Sequence, residues 1–417
     1  MLLIKNGFIL GSKTGTTDIL YQNGQIVQRA PYIHPPEDAE VVDATGLILA
    51  PGLVDMHVHF RDPGFEHKED ILTGAAAAAA GGVTTCCCMP NTSPVADCAE
   101  VIEYIRAKAK NAQVRILPVG AVTVGQKGEE LTDFESLKAA GAVALSDDGL
   151  PIQNAALLRR AMRLARDTDM LIISHCEDAT LAQNFAVNDG KVSRELGLPG
   201  RPAIAEELQV ARDAMLAHET GARVHIAHVS TAGSVDIIRR AKAAGVNITA
   251  ETCPQYFTLT EDEILRQGAL ARVNPPLRTA ADVEAIIEGL IDGTIDAIAT
   301  DHAPHAKADK DGSLTDAQSG MIGLETSFAL ATTYLYHTGR LSLEKIMDRM
   351  SYKPGAILRL DPRLYDRDMI IFDPDEQWTV EPEKFKSKAR NTPFAGLHLR
   401  GRVKYTIVGG NLVYKGD

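Results

Sequence analysis

The hydrophobic pattern of the chain changes rhythm twice. Over residues 1–50, short apolar–polar alternations are broken by Asn6-Gly7 and Asn23-Gly24, which predict strands joined by hairpin turns. From about residue 53 to 350, apolar runs of strand length alternate with stretches of helical periodicity. The runs are Leu53–His59, Val83–Met89, Arg115–Val122, Ala142–Asp148, Met170–Asp178, Arg223–Ser230, Val246–Cys253 and Ile295–His302. Eight strands separated by helices predict a parallel (β/α)8 barrel of the TIM type. The run Ala75–Ala80, closed by Gly81-Gly82, reads as a helix lying against that sheet. The tail returns to alternation and ends in a hairpin around Gly409-Gly410. The expected architecture is therefore α/β. A barrel spans 51–361, and a small β-sandwich domain is built from 1–50 and 362–417. No internal repeat or low-complexity linker interrupts it.

Composition narrows the class. Of 417 residues, 45% are hydrophobic and 24% charged, an ordinary globular balance. The formal net charge of −12 offers no basic footprint for nucleic acid or anionic membrane, so neither is expected as a partner. No stretch approaches the roughly 20 apolar residues of a membrane span. The start, Met1–Gly7, lacks the basic region of a signal peptide. Three of the six cysteines are consecutive, Cys86–Cys88, and would alternate faces of a strand. Cys176 and Cys253 have no partner at zinc-site spacing. This usage suits reduced thiols and a cytoplasmic protein.

Chemistry collects at the C-terminal ends of barrel strands. His57 and His59, two apart on a strand, point to one face and form half of a shell for a divalent metal, or else a pair of satisfied histidines. Further strand ends carry Ser146-Asp147-Asp148-Gly149, Ser174-His175-Cys176-Glu177-Asp178, His225-Ile226-Ala227-His228 and Thr300-Asp301-His302-Ala303-Pro304-His305. Four histidines and two aspartates in one layer suffice for two divalent ions.

The motifs taken together resemble the amidohydrolase superfamily and, within it, the class I dihydroorotases. They are Asp55–Gly64, Met89-Pro90-Asn91-Thr92, Ser146–Gly149, His175–Asp178, His228-Val229-Ser230-Thr231, Asn274-Pro275-Pro276-Leu277-Arg278, Ala299–His305 and Gly323-Leu324-Glu325-Thr326. The resemblance is colinear from residue 2 to about 416. It implies two divalent ions, expected to be zinc. His57, His59 and Asp301 would hold the first, His175 and His228 the second, and Asp148 would bridge them, with Asp147 turned away. It also implies that Arg61, Asn91 and His305 grip a substrate carboxylate, that Asn274 and the backbone of Gly320 touch the ring, and that Asp301 is the general acid/base. His225 and His302 fall off the ligand pattern and His67 is expected in solvent.

The implied reaction is the reversible cyclisation of N-carbamoyl-L-aspartate to L-dihydroorotate in de novo pyrimidine biosynthesis. Hydantoinases and dihydropyrimidinases share the histidines but bridge their metals with a carboxylated lysine, and this chain has Asp148 there. A catalytically silent subunit scaffolding aspartate carbamoyltransferase is expected to have lost ligands, and all six are present. Association with aspartate carbamoyltransferase and a homodimer remain expectations of the resemblance. Two departures stand out: Gln318-Ser319 replaces the Pro-Phe often found ahead of Gly320, and Arg363–Asp373 is irregular. The polar, aperiodic stretch 306–319 is expected to be a mobile loop over the site.

Overall fold

The computed structural model describes residues 1–13 and 15–416. The chain opens with β1 (Leu2–Ile9), β2 (Thr17–Gln22), β3 (Gln25–Ala30), β4 (Glu40–Asp43) and β5 (Ile48–Pro51). Barrel strands follow: β6 (Leu53–Val58), β7 (Val83–Cys88), β8 (Arg115–Gly120), β9 (Ala144–Leu145) and β10 (Leu171–Ser174). A two-stranded excursion, β11 (Val187–Asn188) and β12 (Gly200–Arg201), precedes β13 (Val224–Ile226), β14 (Ile248–Thr252) and β15 (Ala297–Ile298). The chain closes with β16 (Met369–Thr379), β17 (His398–Val408) and β18 (Asn411–Lys415).

The eight barrel strands pair in parallel in the order β15-β14-β13-β10-β9-β8-β7-β6. Closure comes from Val58 bridging His302 in parallel, with His59 N–H donating to the His302 carbonyl at 2.9 Å. The metal-ligand candidates of the first and last strands are thus held by the seam of the barrel itself. Strands are shorter than the apolar runs predict, most of all Ala142–Asp148, of which only Ala144–Leu145 is ladder-paired.

Both chain ends share one sheet, in the order β18-β17-β16-β5-β1-β2-β3, with β4 on β1. β1 turns the corner: its first half pairs with β2 and β4, its last residues with β5. Asn23-Gly24 forms the expected tight turn, both residues in the left-handed region. Asn6-Gly7 does not. It lies inside β1 as a bulge, with Asn6 at φ 61° and its N–H bonded to Asp18 Oδ1, so the left-handed residue kinks a strand instead of reversing it.

The alanine run falls in helix Ile71–Ala80, capped by Asp70, whose carboxylate accepts from the Leu72 and Thr73 N–H groups. Small side chains let it lie close on the barrel: Ala75 and Ala77–Ala79 are fully buried. The segment 306–319 contains one helical turn, Lys307–Lys310.

Candidate metal centre

β6 delivers His57 and, one residue beyond it, His59, both buried. His57 Nδ1 is 2.8 Å from Glu251 Oε1, which fixes the ring so that Nε2 faces inward. That Nε2 lies 3.4 Å from Asp148 and 3.6 Å from Asp301. His59 Nδ1 contacts Asn91 Oδ1 at 2.9 Å, leaving Nε2 2.9 Å from Asp301 and 3.5 Å from Asp148 Oδ2. Across the cavity, His175 Nδ1 and His228 Nε2 approach to 2.7 Å and lie 3.4 and 3.6 Å from Asp148 Oδ1. One carboxylate therefore faces four imidazoles, Oδ1 toward His57, His175 and His228 and Oδ2 toward His59. Asp147 turns away as expected, accepting from Val122 N–H, Thr123 N–H and the Thr123 hydroxyl.

The donor set fits divalent metal. Two overlapping clusters, His57–His59–Asp301 and His57–Asp148–His228, bring their ligand atoms within 4.8 Å of one another. His57 Nε2 and Asp148 Oδ1 are buried without a hydrogen-bond partner, which a polar core does not tolerate unless something else satisfies them. The electrostatics agree. Burial opposes charge on Asp148, yet His57, His175 and His228 hold its carboxyl well below the usual range. Burial likewise opposes charge on His175, but Asp148 and Glu177 raise it to about 9. The buried carboxylate and the imidazoles around it thus favour each other's charged forms. Arg61, His228 and Asp301 also adopt left-handed backbone, at φ 59°, 35° and 48°, a cost that non-glycine residues bear at functional sites.

A cavity of about 210 Å³ opens onto these ligands. Its walls include Arg61, Asn91, Asn274, His305 and Gly320, so the structure brings every substrate-contact candidate to one chamber with His59, Asp148, His175, His228 and Asp301. Arg61 donates from Nε to the Pro304 carbonyl at 3.2 Å, and its Nη2 is 3.5 Å from His305 Nε2. His305 Nε2 meets the Ser319 carbonyl at 2.9 Å. Gln318 and Ser319 line the chamber where the relatives' Pro-Phe was expected. Asn274 Nδ2 is 3.4 Å from His175 Nε2, and Arg201 bonds both Asn274 Oδ1 and, at 2.7 Å, Glu177.

His225 and His302 stay outside the ligand set. His225 Nε2 is 3.2 Å from Glu251 Oε2 without completing a hydrogen bond, and His302 Nε2 is 3.6 Å from buried Glu69. His67 is exposed. Sequence reasoning did not single out Glu251 or Arg201. Glu251 had a signal, as the one acid inside the apolar run Val246–Cys253. Arg201 sits on the β11–β12 excursion, which no pattern announced.

A model described as "Dihydro-orotase-like" matches residues 46–234. A dihydroorotase of Ruminiclostridium cellulolyticum is 50% identical over 99% of this chain and 98% of its own length. One of Clostridioides difficile is 46% identical over 99% of this chain and 100% of its own. Among solved structures, an L-hydantoinase (dihydropyrimidinase) from Arthrobacter aurescens superposes with a TM-score of 0.88 at 27% identity, covering 100% of this chain and 96% of that one. A D-hydantoinase (dihydropyrimidinase) from Thermus sp. superposes at 0.84 and 26%, covering 99% and 95%.

Proposed function

The chain belongs to the dihydroorotase family and is an enzyme acting on cyclic amides, and on that premise we propose that it interconverts N-carbamoyl-L-aspartate and L-dihydroorotate at this site. The observation that carries the reading is the pairing, in one chamber, of a carboxylate facing four imidazoles with the half-buried Arg61 guanidinium. His57, His59 and Asp301 would hold one divalent ion, His175 and His228 a second, with Asp148 between them. Such ions supply a Lewis acid for the ring carbonyl and lower the pKa of a water to near neutrality.

The chain's own residues do the rest. Arg61 pairs with the substrate carboxylate through its planar fork, helped by Asn91 and His305. Burial pushes the Arg61 pKa down against the pull of Asp301 and Asp148, so an arriving carboxylate relieves a poorly solvated cation. Asn274 and the Gly320 backbone orient the ring. In hydrolysis the water oxygen bonds to the ring carbonyl carbon, and Asp301 takes the water's proton. The carbon–nitrogen bond then breaks, and Asp301 returns the proton to the departing nitrogen; cyclisation runs the same path backwards. Burial opposes charge on Asp301, but the His59 hydrogen bond and the charges of His57 and His59 hold its carboxyl below the usual range, so it is ionised and ready to accept a proton.

Zinc as the native metal, a homodimer, and association with aspartate carbamoyltransferase belong to the same proposal and rest on the family resemblance. A cytoplasmic site of action is supported by six free thiols, five of them buried. Among the described residues, no helix is long and apolar enough to cross a membrane. The hydantoinase-like barrel leaves one competing substrate class, cyclic amides without the carboxylate. Dihydroorotate hydrolysis assayed beside elemental analysis tests the reading. Turnover with about two equivalents of metal supports it, and failure to turn over dihydroorotate with the site metal-loaded overturns it.

A further inference from the structure

The chamber's carboxylate end is assembled from the two ends of one loop. Ala303–His305 leaves the barrel at the last strand, and Ser319–Ile322 returns to it. Neither stretch belongs to a long element that would fix it. A parallel bridge between His302 and Met321 ties them, with the Ala303 N–H bonded to the Met321 carbonyl at 2.9 Å. What spans the gap between them comes from elsewhere: Asn391, on the segment between β16 and β17, 4% exposed.

Asn391 spends both side-chain N–H donors, its side-chain oxygen and its backbone carbonyl on this one junction. Its Nδ2 donates to the Ala303 carbonyl at 3.0 Å on the outgoing arm and to the Gly320 carbonyl at 3.1 Å on the returning arm. Its Oδ1 accepts the His305 N–H at 3.0 Å, and its own carbonyl accepts the Ile322 N–H at 3.0 Å. Two of the four residues it grips, His305 and Gly320, are assigned above to substrate. Gly320 tolerates no side chain there, since a Cβ would come within 2.6 Å of Ala303 Cβ and 3.2 Å of His305 Nε2, at φ +129°. The spacing between the arms is therefore close-packed and set by one planar amide.

We infer that Asn391 is a positioning residue that sets the distance between His305 and the Gly320 peptide, and thereby the fit of the substrate's carboxylate end. It touches neither the metal-ligand set nor the reacting bond, so it acts through the residues it holds. The inference rests on the substrate reading proposed above. It places a determinant of substrate fit on the segment leading into β17, outside the barrel strands that carry the other site residues.

Asn391→Asp keeps the shape of the side chain but turns acceptor oxygens toward the Ala303 and Gly320 carbonyls. Asn391→Ser, smaller and uncharged, is its companion. Each variant of the full chain is measured for metal content, for kcat and KM in dihydroorotate hydrolysis, and again in combination with His305→Ala. The expected result is unchanged metal content and a loss in kcat/KM of about tenfold or more, carried mainly by KM. That loss should be largely absent when His305 is already alanine, because the two then act as one unit. Unchanged KM, or losses that simply multiply in the double variant, would overturn the inference, and so would failure of both variants to fold, which would make Asn391 a folding residue. If the unmodified enzyme does not turn over dihydroorotate at all, the substrate reading fails instead, and the control arm reports that separately.

Discussion

Replacing Glu251 should weaken metal binding although Glu251 is not a ligand. Its carboxylate has no exposure to solvent and holds His57 Nδ1 at 2.8 Å, which leaves the opposite nitrogen for the centre. Burial would raise its pKa, but the neighbouring imidazoles of His225 and His57 bring it down to about 2, so it meets the His57 ring as an anion. Glu251→Gln keeps an acceptor oxygen and the packing but removes the charge that makes His57 a stronger donor to metal. Glu251→Ala removes orientation as well. Outer partners of this kind are worth about 10–100-fold in metal affinity, or about 1.4–2.7 kcal/mol. Glutamine should sit near the lower end and alanine near the upper. The alanine variant also orphans a buried His57 N–H, which costs about 1–3 kcal/mol of stability, so its melting temperature falls more than that of glutamine. Competition with a graded zinc chelator, followed by elemental analysis, reads the affinity directly. If both variants retain metal as tightly as the parent, the argument that Glu251 sets the His57 ring is wrong.

Asp148→Ala should lose most of the bound metal and nearly all activity, since one carboxylate faces all four histidines; elemental analysis showing two retained equivalents would refute its bridging role. Arg61→Met should keep the metal yet lower kcat/KM for dihydroorotate by about 10²–10⁴-fold, counting two charge-assisted hydrogen bonds at roughly 1.5–3 kcal/mol each. A third expectation concerns pH. Lys310 is 8% exposed, and burial, with the Arg272 charge beside it and Asp309 opposing, pushes its pKa down to about 7 from 10.5. The unfolded chain therefore binds more protons at this residue between those values. The penalty is full below pH 7, and stability rises with pH above it, by about 2–3 kcal/mol from pH 7 to 9. Denaturant titrations at both pH values should show that rise in the parent and a flatter response in Lys310→Met; equal slopes would contradict it.

The parts of the site that lie on strand ends were legible because a barrel concentrates chemistry there, and a histidine or aspartate closing an apolar run has few other reasons to be present. His57, His59, Asp148, His175, His228 and Asp301 all read this way. Side chains that work from the interior or from distant loops did not. Glu251 hides in a buried strand, and Asn391 lies between β16 and β17, far in sequence from the residues it holds. Lys310 looked like part of a solvated loop, yet its ammonium is buried and donates to the carbonyls of Arg272 and Gln318, tying down a segment that local polarity described as free. Asn6-Gly7 misled for a similar reason. The pair supplies a left-handed residue wherever one is required, and whether that makes a hairpin or a bulge is decided by the partner strand. Whether 306–319 moves over the chamber is open to limited proteolysis with and without dihydroorotate, where protection by substrate is the result a closing lid requires.

The central claim is that this metal centre is built for a substrate bearing a carboxylate, and substrate discrimination tests it most directly. Steady-state hydrolysis of dihydroorotate and dihydrouracil should be compared on the same zinc-loaded enzyme. The two share the ring and the scissile bond, and only dihydroorotate carries the group that Arg61, Asn91 and His305 are placed to receive. Sites built around a polar group reject analogues lacking it by about 10⁴–10⁵-fold, and kcat/KM should separate the two substrates by several orders of magnitude. Comparable turnover of dihydrouracil would contradict the account and place the enzyme with the dihydropyrimidinases whose barrel it shares.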